Sequence, residues 1–233
     1  MKNKILQSSR PTPEVRGVLR NKILEVPLSI KEASGIRIFG KTIKSLVYST
    51  DVAVIKNTNA DAIMAVYPFT PQPIITQALV TAADVPVFCG VGGGLTSGKR
   101  VVNLALDAEF KGVMAVVLNS PITNEVVKQL KETIDIPIVV TVVSQHEDIR
   151  ARLESGVSIL NVSGGKNTSN IVKSIRKEFP NIPIIATGGL DDDTIIKTIE
   201  AGANCITYTP PSSAYVFKDV MKKYRFNYRK NHL

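Results

Sequence analysis

This sequence predicts an α/β fold, a single (β/α)₈ barrel with an N-terminal helix and hairpin extension, and three observations predict it. Short apolar, β-branched runs recur from Ser45 onward, stretches of helical period separate them, and the junctions between them alternate in kind. Runs that are apolar throughout are strands buried on both faces, as in a parallel sheet covered by helices. Right-handed crossovers let such a sheet curl and close.

The strand runs are Leu46–Thr50, Ala62–Tyr67, Val87–Gly90, Val113–Leu118, Ile138–Val143, Ser158–Val162, Ile184–Thr187 and Cys205–Tyr208. Between them lie amphipathic segments such as Asn124–Ile134, whose apolar residues recur three and four apart. The third, fifth and seventh strands are entered through Asp84–Pro86, Asp135–Pro137 and Asn181–Pro183, each an acid or amide, a β-branched residue and proline. The fourth, sixth and eighth are entered through Gly112, Gly156 and Gly202, each placed to end a helix in the left-handed conformation; Asn59 holds that place before the second. The alternation reads as a repeated βαβα unit.

Two parts are irregular. The first helical segment, Val52–Asn57, is so short that it predicts an open or distorted wall. Residues 1–44 precede the barrel of residues 45–233 as a basic extension. In it, Pro13–Leu24 has the pattern of a short helix and Gly35–Ile43 that of a hairpin turning at Gly40. The hairpin would plug the bottom of the barrel or form a subunit contact in a homo-oligomer.

The 233 residues are 44% hydrophobic, enough for a substantial core and too many for a disordered chain. No apolar run reaches the roughly 18 to 20 residues that span a bilayer, so no membrane partner is expected. The N-terminal residues lack the apolar stretch of a secretory signal. Cys89 and Cys205 sit in strand runs and read as buried free thiols, and the expected location is cytoplasmic. The net charge of +9 is unevenly spread. Residues 1–44 hold ten Lys or Arg against three Asp or Glu, a net +7, and residues 218–233 hold six against one, a net +5. The rest holds thirteen against sixteen, a net −3, so the basicity belongs to the two ends. That distribution reads as a solvated basic surface and not as a nucleic-acid site.

In such a barrel, the residues after the strands meet at one end, and the last two loops commonly hold a phosphate. The sixth strand runs into Gly164, Gly165 and Lys166, the seventh into Gly188 and Gly189, and the eighth into Ser212 and Ser213 ahead of the last helix. Adjacent glycines let backbone N–H groups approach an oxyanion, and the serines could cap the helix and offer hydroxyls. After the third strand, Gly93–Lys99 has the G-x-x-x-x-G-K spacing of a phosphate loop, but Arg100 stands where a magnesium-binding Ser or Thr would be needed. This segment reads instead as a mobile glycine-rich lid that offers Lys99 and Arg100 to an anion. For proton transfer the candidates are Asp51 at the end of the first strand, Lys166, and His146 after the fifth. Asn119 and Asn161, with Cys89 and Tyr208, lie at or near strand ends and could orient a ligand. No His, Cys and carboxylate spacing suggests a metal.

The segment from Ala186 to Ile206 resembles the seventh-to-eighth-strand region of phosphate-binding TIM barrels. These include the ribulose-phosphate-binding barrels, the inosine-monophosphate dehydrogenase group and the nitronate monooxygenases, and the likeness extends over roughly Gly35–Ser213. It implies that Gly188 and Gly189 donate N–H bonds to a phosphate of a substrate or of flavin mononucleotide. Pro210 and Pro211, which lack N–H groups, stand where those families usually have a glycine. The functional expectation is a small anionic, phosphorylated ligand, handled by an isomerase, epimerase or lyase. A flavin mononucleotide oxidoreductase and a non-catalytic ligand sensor or scaffold are the alternatives.

Overall fold

The structure is a computed structural model that describes residues 13–15, 17, 24–189 and 191–232. Most of the expected helix over Pro13–Leu24 lies outside the described residues. A 3₁₀ turn over Leu28–Glu32 leads into a two-stranded antiparallel hairpin, β1 (Ile36–Ile38) and β2 (Lys41–Ile43). It turns at Phe39 and Gly40, with φ of 45° and 82°. Two positive φ values in a two-residue loop match the twist of the flanking strands.

Eight parallel strands then close into a barrel: β3 (Ser45–Tyr48), β4 (Ala62–Ala65), β5 (Val87–Gly92), β6 (Ala115–Leu118), β7 (Ile138–Val142), β8 (Ile159–Val162), β9 (Ile184–Thr187) and β10 (Cys205–Tyr208). Each pairs with the next, and β10 returns to β3. The helices are α1 (Val52–Lys56), α2 (Pro73–Ala82), α3 (Lys99–Phe110), α4 (Asn124–Thr133), α5 (Ile149–Glu154), α6 (Thr168–Glu178), α7 (Asp192–Glu200) and α8 (Ser213–His232). Among the described residues no helix is long and apolar enough to cross a membrane.

The two-residue period of the strands divides the core in two. Leu46, Met64, Phe88, Val117, Val139 and Ile185 face the barrel axis, and the hairpin residues Ile36, Ile38 and Ile43 join this inner cluster at the N-terminal ends of the strands. The alternate residues, such as Val47, Ile63, Val140 and Leu160, face outward and pack against Leu79, Val101, Leu130, Ile171 and Ile195 of the helices. In α4 the buried residues are Val126, Val127 and Leu130, one stripe at helical spacing. Gly112, Gly156 and Gly202 follow α3, α5 and α7 with φ of 83°, 107° and 111°, the left-handed stop that their positions in the sequence suggest.

The wall at α1 is not open, contrary to expectation. β3 pairs on both sides. Ile30 is buried in the outer core, and Leu24 and Val26 pack against it. The N-terminal segment thus covers what a five-residue helix cannot.

Candidate functional site

The inward positions are apolar through most of the barrel and turn polar at the C-terminal ends of the strands. One step beyond Val117, Val139 and Ile159 come Asn119, Thr141 and Asn161, and one step beyond Ile185 and Cys205 come Thr187 and Thr207. Ser163 stands two residues past Asn161. The Asn161 amide donates to Thr141 Oγ1 at 3.1 Å, and Thr141 Oγ1 lies 3.5 Å from Asn119 Oδ1. Thr187 Oγ1 donates to Ser163 Oγ at 3.2 Å. Thr207 is 4% exposed, and its hydroxyl has no hydrogen-bond partner among the described residues. Tyr48 reaches the same mouth from β3, two residues past the inward Leu46. On the opposite side Gly90, which has no side chain, leaves a cavity of about 470 Å³. It runs from Val66, Gly90 and Asn119 out to Tyr67, Phe69 and Leu95.

Of the residues expected from sequence, Asn119 and Asn161 lie in this polar ring. Thr141, Ser163, Thr187, Thr207 and Tyr48 were not anticipated. Counting by twos from the apolar inward residues would have found all but Ser163, which lies just beyond its strand.

The expected phosphate cradle is largely occupied by the chain itself. The Gly188 N–H donates to the Thr207 carbonyl at 3.2 Å, and a Cβ at Gly188 would lie 2.5 Å from the Ile206 side chain. Gly189 has φ of 92°, and its missing side chain makes room for Thr194. These glycines allow α7 to pack close to the barrel. The start of α7 is already capped: Asp191 accepts from the Thr194 N–H in a capping box, and Asp192 and Asp193 add negative charge. An incoming phosphate would meet repulsion there. The Gly164 N–H donates to Thr168 Oγ1, which in turn donates to the Gly165 carbonyl. Ser212 Oγ accepts from the Tyr215 N–H and so caps α8, and the Ser213 hydroxyl lies beside the Asp51 carboxylate and favours its charged form.

Asp51 is the N-cap of α1. The Ser213 hydroxyl, helped by the N–H groups of Ala53 and Val54 and opposed by partial burial, holds its carboxyl below the usual range. A carboxylate stabilised in this way is a poor proton acceptor. His146 is exposed beyond β7, while the neighbouring Glu147 turns inward, accepts from the Val143 N–H at 3.0 Å and approaches Arg152 at 3.8 Å. Lys166 is exposed three residues past Ser163 and makes no ion pair among the described residues.

Lys99 and Arg100 are exposed in the first turn of α3, but the loop before them is not a free lid. Gly93 donates to the Thr96 carbonyl at 2.9 Å and Gly94 to that of Pro121 at 3.0 Å, and Thr96 is buried. A Cβ at Gly93 would lie 2.1 Å from the Asn119 carbonyl. The glycines therefore permit a pinned turn, with Leu95 at its exposed tip. Cys89 and Tyr208 face outward, not into the mouth. Cys89 sits 3.3 Å from Thr76 Oγ1, and burial raises its thiol pKa. Among the described residues, no three His, Cys, Asp or Glu side chains gather where they could hold a metal ion.

No protein-family model matches the chain, and no curated protein matches it significantly. Solved structures do. A 2,3-dimethylmalate lyase of the PEP mutase/isocitrate lyase superfamily superposes with a TM-score of 0.60 and 10% identity, over 88% of this chain and 86% of that one. Phosphonopyruvate hydrolase in complex with oxalate and Mg++ gives 0.60 and 12%, over 80% and 82%. Mandelate oxidase gives 0.61 and 14%, over 76% and 68%. At such identities the likeness shows the fold alone. The chain is thus a TIM barrel; the superfamily named for the lyase neighbour is not among the phosphate-binding barrels expected from the loop residues.

Proposed function

We propose that this barrel binds a small carboxylate- or phosphate-bearing metabolite at its mouth, held by uncharged hydrogen-bonding groups and with Lys166 at the rim meeting its charge. The observation that carries this reading is the Thr207 hydroxyl, buried on the inward face and without a partner among the described residues. A buried hydroxyl left without a partner is costly, and a polar ligand would supply one. The ring of Asn119, Thr141, Asn161 and Thr187 beside it offers both donors and acceptors. The adjoining cavity, flanked by Phe69 and Leu95, has room for a less polar portion of the same molecule.

Recognition is better supported than catalysis, because the ring itself contains no acid or base. A second reading, a lyase or isomerase, rests on Lys166, which extends from the loop just past Ser163. In that reading the lysine carries the proton, and the ring holds the substrate's polar groups. The flavin reading draws less support, because the Gly188 N–H that would bind the cofactor phosphate is already engaged.

Calorimetry with oxalate and with a small sugar phosphate tests the assignment. Saturable binding of at least one is expected, weakened about tenfold or more in Lys166→Ala by loss of a charged hydrogen bond. No binding of either probe would overturn the reading, and unchanged affinity in the variant would place the anion elsewhere. Exchange of a bound ligand's carbon-attached proton with D₂O, lost in Lys166→Ala, would favour the catalytic reading.

A further inference from the structure

At the end of β5, glycine is required neither by the backbone nor by close packing at position 90. Gly92 makes room for Val101 of α3, which a Cβ would approach to 2.4 Å, and Gly93 passes close to the Asn119 carbonyl. Gly90 has neither reason. Its φ is not in the left-handed region, and the atoms nearest an added Cβ all belong to Val66, the closest a methyl at 3.3 Å. Gly90 stands two residues past the inward Phe88, so its absent side chain leaves the inward face of β5 open. The ladder with β6 shifts register here, between Gly90 and Gly92, an irregularity that often adjoins a ligand site. The space left is the cavity of about 470 Å³, within the roughly 300–1,000 Å³ of pockets that bury a small molecule.

The walls of this cavity carry no charge. Among the described residues that line it there is no Asp, Glu, Lys, Arg or His. Burial pushes the Tyr67 phenol up, so that group stays neutral as well. Two glycine N–H groups that could meet an anion are already engaged, Gly93 with the Thr96 carbonyl and Gly94 with that of Pro121. A second negative charge placed here would lose water and gain no counter-charge. The rim is apolar instead. Phe69 is 74% exposed and Leu95 fully exposed, one on each of the two loops that flank the opening. Both loops are held. Pro68, Pro71 and Pro73 restrict the first, whose Gln72 N–H donates to the Tyr67 hydroxyl at 2.9 Å, and the bonds of Gly93 and Gly94 fix the second. Large apolar side chains held in water at the edge of a cavity form a lip already shaped for an apolar group. Asn119 belongs to the cavity and to the polar ring, so one ligand can span the two.

We propose that the mouth selects a ligand with one charged end and a bulky apolar group the size of a phenyl ring, and that Gly90, Phe69 and Leu95 set this preference. The inference rests on the anion binding proposed above: the polar ring and Lys166 hold the charged end, and the cavity beside Gly90 takes the other. The test is calorimetry of the full chain with lactate, malate and phenyllactate, which share an α-hydroxy acid and differ in the group appended to it. Inorganic phosphate against phenyl phosphate forms a second set, and the two sets distinguish a carboxylate from a phosphate end. In at least one set the phenyl ring should raise affinity about tenfold or more, and malate should bind no better than lactate. Gly90→Leu, which fills the cavity, should bring the ratio of phenyl to parent affinity close to unity. Phe69→Ser with Leu95→Ser should lower the same ratio about threefold or more, with an unchanged melting temperature because both positions are exposed. Lys166→Ala should weaken both members of a set alike and leave the ratio as it was. If the parent anions bind and the ring adds nothing, or if malate gains more than phenyllactate, this inference fails while anion binding at the mouth stands. A ring gain that survives both sets of substitutions places the ring elsewhere and overturns it too. No binding of any probe would sink both readings.

Discussion

The two ends of the barrel are finished in different ways. At the N-terminal end of the strands, polar side chains close gaps in the backbone. The Arg176 guanidinium donates to the carbonyls of Phe179, Pro180, Ile182 and Gly202 and to Asn204 Oδ1. Asn204 Oδ1 also accepts from the Ile184 N–H, and its amide donates to Ser34. One oxygen of Asp61 receives the N–H groups of Lys44 and Ser45 and the Ser45 hydroxyl. Glu109 does the same for the N–H groups of Asp135 and Ile136. At the opposite end the Asn119–Thr141 contact is long at 3.5 Å, Thr207 has no partner among the described residues, and a cavity opens beside Gly90. One end spends its polar groups on holding the chain, whereas the other keeps several in reserve. In barrels of this kind the first end serves stability and the second serves ligands.

The largest expected effect tests the stability end. Arg176→Met removes a cation that serves four carbonyls and an amide oxygen at once. The loss should be on the order of 3 kcal/mol, since bonds to charged groups outweigh neutral ones and the abandoned acceptors are partly buried. Denaturant unfolding should report it. Ligand affinity of the folded variant should be unchanged, and a variant that melts normally but binds poorly would erase the distinction between the ends.

Gly188→Val comes next, and it sharpens the comparison because it lies at the ligand end yet should behave like a stability mutation. Its side chain would strike Ile206 and Ile195. Overpacking of that kind costs about 1–3 kcal/mol. A phosphate cradle would instead predict a normal melting point with lost anion binding.

Here the sequence misleads for a physical reason. Adjacent glycines after a strand have the same appearance whether backbone must approach a ligand or a helix must approach the barrel. Only Ile206 and Thr194, distant or unremarkable in the chain, decide between these. The fold was far more legible. Every barrel strand lies within two residues of its apolar run, because burial on both faces leaves a compositional mark on each strand separately. The polar ring leaves almost none: Thr141, Thr187 and Thr207 are β-branched and pass for ordinary strand residues. Their role emerges from their parity with Val139, Ile185 and Cys205 and from their place at the strand ends.

Asp51→Ala should cost less, about 1 kcal/mol, as the loss of a helix cap does. The folded carboxyl lies below its ordinary value of 3.8, chiefly through the Ser213 hydroxyl. Its contribution is therefore complete above that value and disappears as pH falls through the lower folded one. Wild type should approach the stability of the variant in acid and exceed it at neutral pH. A pH-independent gap would mean that the carboxylate's charge contributes nothing. If Asp51 instead accepts a proton during turnover, the variant would also lose activity out of proportion to its stability.

The smallest change in stability should come from Thr207→Val, and it bears most directly on the comparison. Valine has nearly the shape of threonine and suits a strand, so the packing around β10 should survive. What disappears is a buried hydroxyl with no described partner, so the melting point should stay or rise slightly. At the stability end, by contrast, every such deletion should lower it. Affinity for the mouth ligand should fall roughly 3- to 10-fold, the worth of one neutral hydrogen bond. Thr207→Ser, which keeps the hydroxyl, should preserve most of that affinity at some cost in packing. The pair thus separates the hydroxyl's two roles. If valine lowers the melting point and leaves affinity unchanged, Thr207 is a structural group like Asn204, and both ends of the barrel are built to the same purpose.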